Sequence, residues 1–307
     1  MKRWWLRPAV RLVAAALLPV LVPLVITGFI WALPGDPASL ICPPEVCSGT
    51  EELAKRWNLD GGPWKFFSAW LSGAVQGDFG RSWRLLQGAP VSELLWESLP
   101  LTAALVGAAF VLVVLGALGA ATRAVPSWAD APLEAIGLVP VLVLSLVAAA
   151  TVTMSYGARA FDTEAVIVKV LLGALALGLA DAALSGTVIG VRSQVEDERR
   201  QRYVRMAALR GEGELANALP NVLPALVGQL RARTLHLLSG AVVVEVVLQL
   251  EGLGDLLWGG TLVQDFGVVL AAAFGFSLLS AALLAGQALV EVLVALHVRR
   301  SPAVEAV

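Results

Sequence analysis

The sequence predicts an all-α polytopic membrane protein with six transmembrane helices, and three observations carry that prediction. Of its 307 residues, 58% are apolar and only 15% charged, and the mean hydropathy is +0.78, well above a soluble domain. The apolar residues are gathered into runs of about 20, the length that crosses a hydrocarbon core. The basic residues alternate between connections. If both termini lie inside, 13 Lys and Arg fall on inner segments and 6 on outer ones, the bias of the positive-inside rule. Tryptophans agree, with Trp4, Trp5 and Trp128 at inner ends and Trp31, Trp96 and Trp258 at outer ends.

The first element is the N-terminal segment 1–33. Lys2, Arg3, Arg7 and Arg11 precede an apolar run over 12–33. A signal peptide shares that outline, but this run is longer than a signal core and ends at Pro34-Gly35-Asp36-Pro37 without a small-x-small cleavage pattern. A retained first helix with a cytoplasmic N-terminus is expected. Residues 34–99 read as an extramembrane insertion. It holds a rigid turn at Pro34 to Pro37, a short helix from Thr50 with Glu51 and Glu52 in its first turn, and an aromatic stretch suited to a bilayer surface. Asp78, Arg81 and Arg84 read as salt bridges folding this loop.

Residues 100–300 supply five further spans, over 101–121, 133–153, 165–191, 222–250 and 266–296, before a tail at 301–307. Pro140 is expected to kink the third span. Lys169, Asp181, Arg231, Arg233 and His236 fall in or near spans, where a charge must face a polar path, pair, or snorkel. Lys169, near an outer end, is expected to snorkel. Asp181, near mid-span, is expected to pair with an arginine of the fifth span or of a partner, or to line a solute route. Arg231 and Arg233 mark either a wetter inner vestibule or a later start of that span; Arg231 and Asp181 are the candidates for lining a translocation path. His236 reads as a polar helix contact more readily than as a proton relay.

The one long polar run in the later part of the chain, over 198–220, separates the fourth and fifth spans. Its first half reads as a short helix with Tyr203, Ala207 and Gly211 recurring on one face and Arg202, Arg205 and Arg210 around it. A face of Ala and Gly admits a close approach by another surface. Pro220 and Pro224 are expected to break the chain before the fifth span.

YVRMAALRG followed by ALPNVLP resembles the cytoplasmic coupling segment, or EAA loop, of permease subunits of ATP-binding-cassette importers, within the dipeptide, oligopeptide and nickel branch. LPGDPAS, the stretch from Asn58 to Thr102, GAVVVEVVLQLEGLGDLLWGG and LVQDFGVVLAA are similar to the same branch. The resemblance covers roughly residues 10–300. It implies a type I importer permease-like fold with a periplasmic insertion after helix 1. It also implies an ATPase contact through Tyr203, Arg205, Ala207, Ala208, Arg210 and Gly211.

The implied partners are a second homologous permease, one or two ABC ATPase subunits, a periplasmic or lipid-anchored solute-binding protein, and membrane lipids. ATP would be bound by the ATPase subunits, since no GxxxxGK[ST] loop is present here, and no cofactor, metal or nucleic acid is expected. The implied solute is a di- or oligopeptide, with nickel or another small solute as the alternative. In a periplasmic loop, Cys42 and Cys47 are placed to form a disulfide.

Two departures from the branch are visible. Arg231 and Arg233 stand where the fifth span usually starts apolar. The arm between Gly211 and Pro220 is about four residues shorter than usual and carries Glu214, so either the ATPase groove matches it or coupling is altered. Rival classes fare worse on the residues. A secondary transporter would show an inverted repeat, and an intramembrane enzyme would need paired catalytic groups, whereas His236 and His297 are far apart.

Overall fold

Apolar runs become helices because a membrane span must satisfy its own backbone hydrogen bonds. In this computed structural model the described residues are 6–41 and 49–300. In chain order the helices are α1 (Leu6–Ala32), α2 (Pro37–Ile41), α3 (Thr50–Arg56), α4 (Gly62–Val75), α5 (Val91–Ala121), α6 (Asp130–Gly137) and α7 (Val141–Tyr156). They continue with α8 (Thr163–Leu179), α9 (Ala183–Arg199), α10 (Arg202–Leu209), α11 (Glu214–Leu248), α12 (Leu253–Leu262) and α13 (Phe266–Arg300). Cys42 and Cys47 lie outside the described residues, as does the side chain of Arg231.

Five helical segments are long and apolar enough to cross a membrane, and a sixth is reached if the broken pair Asn221–Leu248 and Leu253–Leu262 counts as one span. The expected six spans are therefore five with one broken candidate. Several boundaries differ from the sequence reading. α5 begins ten residues earlier than its apolar run, at Val91. The third span starts at Val141, because Pro140, at φ −60° and ψ 146°, is the N-cap of α7 and not a kink inside it. Pro220 and Pro224 do not break the chain: both lie within α11, which runs unbroken from Glu214.

The chain divides into two compact units, one holding Ala104–Leu250 with the chain up to Val13 and from Ala282 onward, the other Ala14–Ala103 and Glu251–Ala281. In the first, Ala117, Ala120 and Ala121 of α5 close over Leu184, Val188, Val191 and Val195 of α9, Val204 of α10, and Ala218, Val222 and Leu226 of α11. The end of α13 is tied to α11 where Gln287 Nε2 donates to Thr234 Oγ1 at 2.8 Å.

The second unit has two clusters. Phe79, Val91, Leu95, Leu253, Leu256, Val268 and Ala271 form one. Ile30, Leu59, Phe66, Phe266 and Leu270 form the other, roofed by Trp57 stacked on Trp83 at 4.0 Å. Asp265, fully buried, organises the loop beneath. Its Oδ2 accepts from Ser82 Oγ at 2.7 Å and from the backbone N–H groups of Trp83, Arg84 and Leu85 at 2.7, 3.0 and 3.2 Å. The loop is also held by hydrogen bonds from its polar side chains. Asp78 Oδ1 accepts from Gly80 N–H, Arg81 donates to Gly88 O at 2.7 Å, and Arg84 to Val263 O at 3.3 Å.

Candidate functional site

Helix α10 is short, but it is anchored at three points. Val204 and Ala207, one turn apart, are each 1% exposed, and Val204 belongs to the core shared by α9 and α11. The Tyr203 hydroxyl donates to Glu198 Oε1 at the end of α9. Asn221 Nδ2 of α11 donates to that same oxygen at 3.0 Å and to the Tyr203 hydroxyl at 2.6 Å. Burial, then the hydrogen bond to Glu198, raises the Tyr203 phenol above its ordinary range, so it stays protonated at neutral pH.

The third anchor is the end of the helix. Gly211 adopts φ +81°, and Glu212 N–H returns to Ala207 O at 3.1 Å, closing the last turn. Arg210 Nε meets Glu212 Oε1 at 2.7 Å, which raises the guanidinium and lowers the carboxyl relative to their ordinary values. The acidic arm is also accounted for, since Glu214 lies 3.8 Å from Arg199 at the foot of α9.

The residues assigned to the ATPase contact are thus divided. Ala207 faces its own chain, Ala208 is half-buried and Gly211 shapes the backbone, while Tyr203, Arg205 and Arg210 are exposed. The exposed apolar residues are Met206 and Leu209, the latter 82% exposed, flanked by Arg202, Arg205 and Arg210. Met206 and Leu209 escaped the sequence reading because apolar residues on a short helix ordinarily mark its buried face.

A second constellation lies where the fourth span breaks. Asp181 is the middle residue of the 37-residue span Thr163–Arg199. It and Ala182 adopt left-handed backbone, at φ 48° and 57°, a conformation that costs L-residues about 1–2 kcal/mol each. Asp181 N–H donates to Val139 O at 3.4 Å. Its carboxylate lies 3.7 Å from His236 Nε2 of α11, with both side chains about one-third exposed (36% and 34%). The partner on α11 is therefore a histidine, where an arginine was expected.

Beyond the break, a Cβ at Gly186 would stand 2.5 Å from Arg233 Nη2, and one at Gly190 2.8 Å from Gln229 Nε2. Lys169 does not snorkel: it is 3% exposed, with Nζ donating to Gln249 O at 3.3 Å and standing 4.7 Å from the Phe161 ring centre. Gln229, Gly186, Gly190 and the fully buried Glu245 were not singled out from sequence. A glycine in an apolar helix carries no sign of which polar side chain will lie on it.

A bundle of long apolar helices, one of them broken at a partly exposed polar seam, defines a polytopic membrane protein. The chain belongs to the family described as binding-protein-dependent transport system inner membrane component, whose family model matches residues 113–300. It is 27% identical over 288 residues to the oligopeptide transport system permease protein AppB of Bacillus subtilis, covering 83% of this chain and 87% of the relative. It is 29% identical over 270 residues to the glutathione transport system permease protein GsiC of Escherichia coli K12, covering 81% and 84%. The Shigella boydii GsiC matches to the same extent. The protein is accordingly an inner-membrane permease subunit of an ABC-type import system and not an enzyme.

Proposed function

We propose that this chain is one of two permease subunits in an ATP-driven importer of di- or oligopeptides, with α10 as its contact to an ABC ATPase subunit. The observation that carries the coupling role is the split of α10. Val204 and Ala207 root it in the chain while Met206 and Leu209 are left outside among arginines. Apolar side chains on an otherwise cationic, solvent-side helix suit a partner groove that buries them and pairs the charges.

Force applied to α10 passes through the shared core and the Tyr203–Glu198–Asn221 bonds into α9 and α11 together. The break at Asp181 then lets α9 tilt without carrying α8 with it. In this reading both termini and α10 face the cytoplasm, residues 34–99 face the periplasm and meet a solute-binding protein, and the solute crosses between the two permeases. Peptides are favoured as the solute class by the oligopeptide and glutathione permeases among the relatives.

Leu209→Asp tests the contact. Desolvating a carboxylate in an apolar groove costs several kcal/mol, so ATPase recovered with the purified permease is expected to fall at least about tenfold with membrane insertion unchanged. Full recovery of ATPase with this variant would remove the role given to α10.

A further inference from the structure

We infer that Arg233 is the point on the pathway that holds a carboxylate of the passing solute. The inference rests on the peptide-import reading above and assigns it a specificity residue.

Two helix faces carry the argument. On α9, Gly186 and Gly190 stand four apart, with Ala182 the N-cap ahead of them, and on α11, Gln229, Arg233 and His236 form a row at four and three, so each helical set lies on one face. The rows run antiparallel: Gln229 lies against Gly190, Arg233 against Gly186, and His236 reaches Asp181 beside Ala182. Gly186 lies within the candidate span Thr163–Arg199 and Arg233 within the candidate segment Asn221–Leu248, so Arg233 is carried by helices apolar enough to cross a membrane. A cation there is stable only beside a counter-charge or water.

Asp181 already faces His236, and among the described residues no ion pair forms to Arg233. The Gln229 Oε1 atom is buried and has no hydrogen-bond partner among the described residues. A guanidinium offers a planar fork matched to a carboxylate, and one helical turn away a bare amide oxygen accepts an N–H. A peptide with a free C-terminus presents both groups on its last residue, the N–H and the carboxylate flanking one Cα. The one-third exposure of Asp181 and His236 in the single chain opens this row on a side where charge at this depth requires a polar surface, not lipid.

The test uses the complete importer, with its second permease, ATPases and binding protein, in proteoliposomes supplied with ATP. Uptake of labelled trialanine is compared with that of its C-terminal amide, for wild type, Arg233→Gln and Arg233→Lys. Dividing each variant by wild type cancels the binding protein's own preference. Arg233→Gln is expected to depress uptake of the free acid about tenfold more than that of the amide, the scale of a charge-assisted hydrogen bond. Arg233→Lys is expected to keep part of the acid preference.

Equal effects of Arg233→Gln on both peptides, or none, would overturn the assignment while leaving peptide import standing. Equal loss together with release of the second permease would place the counter-charge on that subunit and overturn it as well. A wild-type importer that carries neither form would sink the peptide reading and the assignment with it.

Discussion

Asp265 shows how one side chain can set the shape of a loop from a distance in sequence. Its Oδ2 gathers four donors from Ser82 to Leu85, and its Oδ1 lies 3.4 Å from Val268 N–H at the start of α13. Removing it strands the buried Ser82 hydroxyl and three part-buried N–H groups, and a fully buried donor left unsatisfied costs about 1–3 kcal/mol. Asp265→Ala is therefore expected to destabilise the second unit by about 3 kcal/mol or more. The check is a lowered thermal midpoint in detergent together with new protease cleavage between Arg81 and Gly88. Cleavage and midpoint both at wild-type level would mean that Trp57 on Trp83 holds the loop unaided. The carboxylate was legible only as the polar residue before the Phe266 helix; the partner loop 180 residues away was not.

At the scale of elements, the sequence told helix from connection well and helix from broken helix poorly. Leu179-Ala180-Asp181-Ala182-Ala183 consists of good helix formers with one acid and carries no proline or glycine stop, yet it breaks. The reason is tertiary: Val139 O takes the Asp181 N–H and His236 faces its carboxylate. The reverse error occurred at Pro220 and Pro224, which read as a stop and lie within α11. Each proline lacks an N–H and leaves the carbonyl four residues earlier without its helix donor, a loss that local adjustment can absorb in a membrane bundle.

Periodicity alone could not say which apolar face of α10 is rooted in the chain, because the exposed Met206 and Leu209 are as apolar as the buried Val204 and Ala207. Gly211 was legible as special, and the structure adds a backbone reason. Only a residue that accepts φ +81° can end the helix there. Gly211→Asn is accordingly expected to transport near wild type and Gly211→Val to lose about tenfold, since the strain is about 1–2 kcal/mol for an ordinary L-residue and far smaller for Asn. ATP-driven uptake by the assembled importer decides it, and equal behaviour of the two variants would place the importance of Gly211 elsewhere than in its φ.

For the whole molecule, the distribution of charge over the connections makes its own demand. Thirteen of the 22 Lys and Arg gather on the segments assigned inside, and the electrical bias acts on short connections during insertion. The same assignment puts Leu209, 82% exposed on α10, in the cytoplasm, and Val75, 81% exposed at the end of α4, in the periplasm. The chain's only two cysteines are Cys42 and Cys47, so replacing both with Ala gives a background free of thiols, on which Leu209→Cys and Val75→Cys can be introduced singly.

In intact cells a membrane-impermeant maleimide is expected to label the Cys placed at 75 and to leave that at 209 untouched; in inverted vesicles the pattern should exchange. Labelling of both from one side would break the alternation on which five spans and the broken sixth were counted. It would mean that one of the three segments between the two positions, Val91–Ala121, Val141–Arg159 or Thr163–Arg199, does not cross. Labelling with the sides exchanged would keep the span count and invert the protein. Helix α10, proposed above as the ATPase contact, would then face the periplasm, where no ATP is available to drive it.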